Sequence, residues 1–384
     1  MAGPPRTKTA PEMELLICAA AVSPDPVATE RLVYLVPQVE DMEGLVDLAI
    51  REGLACLLYK NLRRAKILDR IEQTLREKLQ AWYRDTVAAN LRMIHDLKEI
   101  LGPLNRMRIR VVLLQGVALL QDVYRDPGLR PMRDIDLWVL EDQLPHFREL
   151  LLGLGYRQDT AYPNSFRRGS TLMDVHTHIL WADRVRAMAC LLAGGQERLF
   201  RVALPISFEG HEALRLQPVD EALYLALHIL KHSAGKLLWL VDLHSLIRNW
   251  AKEDWLSLAA RAGELNLERP MSQVLHLLRR FFLFRLPAEV SRVLGEERLG
   301  LLENRVLARR VPGRPLPFFA PLLLFTAGRN LKARLSLVTE TLFPSPEILR
   351  QILPGCGSAG LWFLYWKRFC YLFRQVLISL RGKV

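Results

Sequence analysis

Acidic and apolar residues alternate from Asp134 to Leu140 (DIDLWVL), and this short run constrains the chain more than any other. Successive side chains on a strand point to opposite faces. The alternation therefore predicts a strand with Asp134 and Asp136 on one face and Ile135 and Leu137 turned into a core. Two carboxylates on one strand face need a counter-charge at neutral pH. A divalent cation supplies it, and magnesium favours oxygen ligands such as one or two carboxylates together with substrate phosphates. A third acid, Asp174 in LMDVHTHIL, falls within Phe166–Leu180, which reads as a hairpin arm or strand turning near Arg168-Gly169. If the two strands lie side by side, Asp134, Asp136 and Asp174 converge as a metal site suited to phosphoryl transfer.

The neighbouring residues extend the pattern. RIRVVLL (Arg108–Leu114) predicts a buried strand ended by Gly116, followed by a helix over Ala118–Tyr124. Asp126-Pro127-Gly128 predicts a turn. A further helix is expected from Gln143 to Leu152, stopped by Gly153 or Gly155. This order makes residues 106–215 a compact α/β unit. Gly116 would let backbone N–H groups approach a triphosphate closely. Arg130 and Arg133 flank the acids and could neutralise phosphate charge. His176 and His178 are expected to share the face of Asp174. There His176 either helps place an acceptor or phosphate or is simply hydrogen-bonded.

The flanks read as helical. Apolar residues recur at helical spacing in Asp41–Tyr59 and Ile71–Leu101, giving an N-terminal helical region (1–105) with no sign of chemistry. A second helical region covers 216–310, and 311–384 combines a Pro-containing linker with an aromatic-basic helix over Leu361–Leu380. From Arg305 onward there are thirteen Lys or Arg against Glu340 and Glu347, which accounts for nearly the whole net charge of +12. Such a tail suits an anionic surface or a merely solvated face. The helix could lie on an anionic membrane or dock its aromatic stripe on the core, and docking is the expectation, since such stripes usually belong to cores. No apolar run is long enough to span a bilayer.

The central segment resembles a bacterial group of uncharacterised nucleotidyltransferases within the DNA polymerase β-like superfamily. The likeness rests on Leu114-Gln115-Gly116, Leu119, Tyr124, Asp126-Pro127-Gly128, Arg130, Asp134-Ile135-Asp136-Leu137, Val139, Gly155-Tyr156 and Asp174-Val175-His176. It extends to ALHILKH and LVDLHSLI. The resemblance implies an α+β fold: a polymerase β-like domain, a small mixed sheet with helices, set between helical regions. It implies transfer of a nucleoside monophosphate from an NTP to an acceptor hydroxyl of unknown identity, with Mg²⁺ or Mn²⁺ held by Asp134, Asp136 and Asp174. Gln115, Gly116, Arg130, Arg133 and His176 would then meet the nucleotide. One departure is Gln115, where the group carries Lys, and it leaves a catalytically degenerate nucleotide-binding module as the alternative.

Other patterns exclude other classes. Five scattered cysteines without a C-x-x-C pair suggest a reducing compartment, and the N-terminus lacks the layout of a secretory signal. The expected location is therefore cytoplasmic, with peripheral membrane contact through the last helix as an option. There is no phosphate-binding G-x-x-x-x-G-K-[ST] loop, and Cys190 lacks the setting of a nucleophile. The G-x-G-x-x-G match at Gly355, Gly357 and Gly360 follows no strand. His228 and His232 have zinc-ligand spacing but no marked third ligand. Lys231 and Lys236 could face a nucleotide or simply be solvated at helix ends.

Overall fold

The computed structural model describes residues 11–160, 162–179, 187–188, 192, 195–282, 284–353 and 360–381. Cys190, Gly355 and Gly357 lie outside the described residues.

The fold is α+β, with a mixed seven-stranded sheet among helical regions. Its strands are β1 (Val112–Leu113), β2 (Ile135–Trp138), β3 (Arg157–Gln158), β4 (Ser165–Arg168), β5 (Thr171–His176), β6 (Leu204–Phe208) and β7 (His211–Arg215). They are ordered β3-β4-β5-β2-β1-β7-β6. β2 pairs antiparallel with β1 and parallel with β5. Ile135, Leu137, Met173 and Val175 are buried, as the alternation requires, and Asp136 and Asp174 occupy the other face.

Two local readings need adjustment, and one hairpin is added. The strand expected over Arg108–Leu114 is reduced to two residues, because Arg108 turns with φ +58°. The helix expected from Ala118 begins earlier, at Gln115, and widens over Leu120–Tyr124, where Arg125 N–H donates to Leu120 O at 2.9 Å. The β6–β7 hairpin gave no readable pattern. Only Phe208 is buried along β6, and Pro205 is tolerated there because the strand is an edge. Its two-residue turn places Glu209 and Gly210 at positive φ, which matches the twist of a tight hairpin.

The helix Gln73–Arg106 buries Leu75, Leu79, Met93, Leu97, Ile100, Leu101 and Leu104 and packs on the sheet beside β5 and β7. One hydrophobic core runs from Leu15 to Leu337. Glu52, which ends the helix Met42–Glu52, bonds Arg310 at 2.7 Å, and both side chains are buried. Glu52 also accepts from Leu237 N–H at 2.6 Å, so the N-terminal helices, the helix Leu237–Ile247 and the segment around Arg310 meet at one carboxylate.

The C-terminal helix Leu361–Arg381 overturns the docking expectation for its aromatic stripe. It contacts the preceding helices through buried Leu364, Tyr365 (Oη to Pro344 O, 2.7 Å) and Arg368 (to Thr341 O, 2.5 Å). Trp362, Trp366, Phe369 and Phe373 recur at helical spacing on the opposite side and are 89, 62, 65 and 58% exposed. Among the described residues nothing covers this aromatic face.

Candidate functional site

In the β2–β5 register Asp136 lies directly opposite Asp174. His176 Nε2 is 2.8 Å from Asp136 Oδ1 and 3.8 Å from Asp174 Oδ2. Ser165 on β4 donates its hydroxyl to Asp174 Oδ1 at 2.8 Å. Donor atoms of Asp136, Asp174 and His176 fall within 4.8 Å of one another. Asp134 sits one residue before β2 and outside this trio, but within its field. Burial, then Asp136 and Asp174, push its carboxyl up to about 7. Burial pulls the His176 imidazole down, yet the bond and charge of Asp136 prevail and hold it above the ordinary histidine value. Oxygen-rich donors with too little positive charge beside them are what a divalent cation fits.

These groups open into a cavity of about 670 Å³, within the size range of small-molecule sites. Gln115, Gly116, Arg130 and Arg133 also line it, so the structure brings all the expected site residues to one place. They do different things there. The Gln115 amide donates to Tyr224 Oη at 3.0 Å, while its backbone takes φ +51°, a conformation that side-chain-bearing residues rarely adopt. At Gly116 a Cβ would stand 2.3 Å from Arg130 Nη1 and 2.9 Å from Met132 Sδ. Arg130 cannot swing aside, because Asp242 holds its Nε and Nη2 at 3.0 and 2.8 Å. The glycine is thus needed to fit Arg130, and Arg130 is a buried support whose charge reaches Asp134 and Asp136. Arg133 remains exposed at the cavity.

The residues around the acids form the frame that holds them. Tyr124 Oη donates to Asp242 at 2.6 Å, completing a buried Tyr124–Asp242–Arg130 set. Asp126 accepts from Gly128 N–H at 2.9 Å, from Tyr83 Oη at 2.9 Å and from Lys60 Nζ at 2.8 Å. The Tyr83 ring lies where a Cβ on Gly128 would be, 2.3 Å from it. Asn90, fully buried, donates to Pro127 O and Arg130 O and accepts from Met132 N–H. Sequence reasoning saw no chemistry in the N-terminal helices, yet Lys60, Tyr83 and Asn90 fix the loop that leads into β2. A lone asparagine at helical spacing carries no signal that it caps a distant loop.

His178 lies past the end of β5. The His228 and His232 rings lie 4.5 Å apart, tilted by 49°, and pack on Trp239, and burial keeps the His228 imidazole well below its ordinary value. Among the described residues the pair gathers no third ligand, and the donor cluster that forms is that of Asp136, Asp174 and His176. Lys231, Lys236 and Trp239 line the cavity as well, brought there by the helices Pro218–Lys231 and Leu237–Ile247.

The model of a family described as uncharacterised nucleotidyltransferase matches residues 38–283. The chain belongs to this family. No curated protein matches the chain. The matched stretch contains the acids, Arg130, Asp242, His228 and His232. Of the cavity lining among the described residues, Ile348 and Gln351 alone lie beyond it, on the helix Pro346–Ile352. Among the described residues no helix is long and apolar enough to cross a membrane.

Proposed function

We propose that this chain transfers a nucleoside monophosphate from an NTP to an acceptor hydroxyl and releases pyrophosphate, in the manner of polymerase β-like enzymes. The observation that carries the reading is the cross-strand pairing of Asp136 with Asp174, bridged by His176 and open to the cavity. Asp136, Asp174 and Asp134 would hold the cation, with Mg²⁺ suited to such oxygen donors and Mn²⁺ as its substitute. When bound, that ion supplies charge neutralisation to the triphosphate and acidifies the acceptor hydroxyl. The protein's own part is placement. His176 fixes the Asp136 carboxylate. Ser165 fixes one oxygen of Asp174, whose side chain is 37% exposed against 12% for Asp136, so Asp174 faces the acceptor. The turn at Gln115-Gly116 takes the phosphate side of the nucleotide. The acceptor oxygen bonds the α-phosphorus as the bond to pyrophosphate breaks, and the hydroxyl proton leaves past Asp174.

Purified protein incubated with Mg²⁺, a cell extract and each α-labelled NTP is expected to leave label on one class of acceptor and to release pyrophosphate. NTP binding without any release, in the presence of extract, would point to the degenerate module instead. The Gln115–Tyr224 bond favours that alternative, since it occupies the side chain that stands where the related group carries Lys.

The C-terminal surface supports a location at an anionic membrane face. Trp362, Trp366, Phe369 and Phe373 form an exposed apolar face, Lys367 and Arg374 flank it on one side, and no acid occurs in the helix. Leu331, Leu335 and Phe343 add exposed apolar area nearby, at 71, 56 and 61%. Aromatic side chains with adjoining cations are the composition of interfacial helices. The protein is expected to sediment with vesicles containing phosphatidylserine and not with neutral ones. Trp362→Ser with Trp366→Ser should lower the bound fraction at least about tenfold. Equal binding by that variant would remove the membrane reading and leave the transferase reading untouched.

A further inference from the structure

We propose that Arg133 and Lys236 form the clamp for the polyphosphate of the nucleotide. The inference rests on the transferase reading and names residues for one part of that same site.

The two motif residues nearest the acids are committed elsewhere. The Gln115 amide is uncharged and bonded to Tyr224, and the Arg130 charge is matched by Asp242 in a buried pair. A triphosphate needs cations that are not already neutralised. Arg133 and Lys236 both line the cavity, and among the described residues neither makes an ion pair or hydrogen bond. Lys231 adds a third positive charge to the same wall. Burial, then the charges of Arg133 and Arg130, lower the Lys236 ammonium from its ordinary value. Two cations at one cavity, close enough for the charge of Arg133 to depress the Lys236 ammonium, mark a place that suits an anion. Across the cavity stand Asp134, Asp136 and Asp174. Once a cation neutralises these, the charges of Arg133 and Lys236 are left for the polyphosphate.

The backbone that carries Lys236 is built for placement. Between the helices Pro218–Lys231 and Leu237–Ile247, Ser233 and Ala234 take φ +55° and +47°. Such a conformation is unfavourable for a residue with a side chain and persists only where its surroundings enforce it. Those surroundings are present on both sides of Lys236. Leu316 N–H donates to Ser233 O at 2.8 Å, and Leu237 N–H donates to Glu52, itself locked to Arg310. The loop is strained and pinned so that the lysine between its anchors enters the cavity at a fixed point.

Inorganic tripolyphosphate with excess Mg²⁺ isolates the clamp from base and acceptor, and calorimetry reads its binding without turnover. Wild-type protein is expected to bind it, with affinity falling as salt rises. Lys236→Ala and Arg133→Ala should each weaken binding at least about tenfold, as expected for loss of a charge-assisted bond. Lys236→Arg should stay within about threefold of wild type, because the charge is kept. Arg133 is exposed, so its variant tests the clamp even if Lys236→Ala unfolds, which melting curves would reveal. Wild-type affinity in a folded Arg133→Ala or Lys236→Ala protein overturns the clamp, as does failure of the wild type to bind. Binding that depends on both residues in a protein that transfers no nucleotide would uphold the clamp and reject the transferase reading.

Discussion

Asp136→Asn is expected to reduce NTP-dependent pyrophosphate release at least about a hundredfold while leaving the melting temperature no lower than that of the wild type. The activity half follows from position. Asp136 is the carboxylate that both touches His176 and faces Asp174, so it is central to any cation the trio holds. The stability half follows from charge. Asp134, Asp136 and Asp174 repel one another, with burial and the other two acids pushing Asp134 up to about 7. Asparagine keeps a hydrogen-bonding oxygen for His176 and removes one of the mutually repelling charges. Function and stability should therefore move independently, as they do where a site is built at the expense of the fold. Asp174→Asn is expected to lose activity to a similar degree. A folded Asp136→Asn protein with wild-type release, measured from a γ-labelled NTP, would end the assignment of these acids.

What could be read from the amino-acid order was the part governed by short-range rules. Alternation in DIDLWVL gave the strand and its buried face, and Gly169 gave the β4–β5 turn, where its φ of +59° favours a glycine. The meeting of Asp136 with Asp174 followed from two strands whose partnership had to be supposed. The polar supports were not legible. Asp242 is 112 residues from Arg130, and Asn90 is 40 residues before the same arginine. Nothing in local spacing encodes such pairings, and the buried end of a long-range bond looks like any polar residue on a helix. The aromatic stripe of the last helix was misread for the opposite reason. Periodicity defines a face, but whether that face meets the core depends on what else competes for the space.

The second large effect is expected at Asp242. Asp242→Ala should lower unfolding stability by about 3–5 kcal/mol, because it leaves the Arg130 guanidinium buried without its counter-charge and deprives Tyr124 Oη of its acceptor. Asp242→Asn keeps a hydrogen-bonding oxygen but not the charge, and should fall between. Replacing both partners with apolar residues of similar volume (Arg130→Met with Asp242→Leu) should recover more than half of the loss, since no buried charge then remains. The same comparison separates support from chemistry at the cavity. In Asp242→Ala the released guanidinium has Asp134 and Asp136 within its electrostatic reach, and turning toward them would compete with a cation. Activity per folded molecule should thus be lower in the single variant than in the apolar pair. Chemical denaturation alongside pyrophosphate release would test both halves. A single variant within about 1 kcal/mol of wild type would show that water or a neighbouring acceptor already satisfies Arg130, and that the buried pair does not hold this side of the site together.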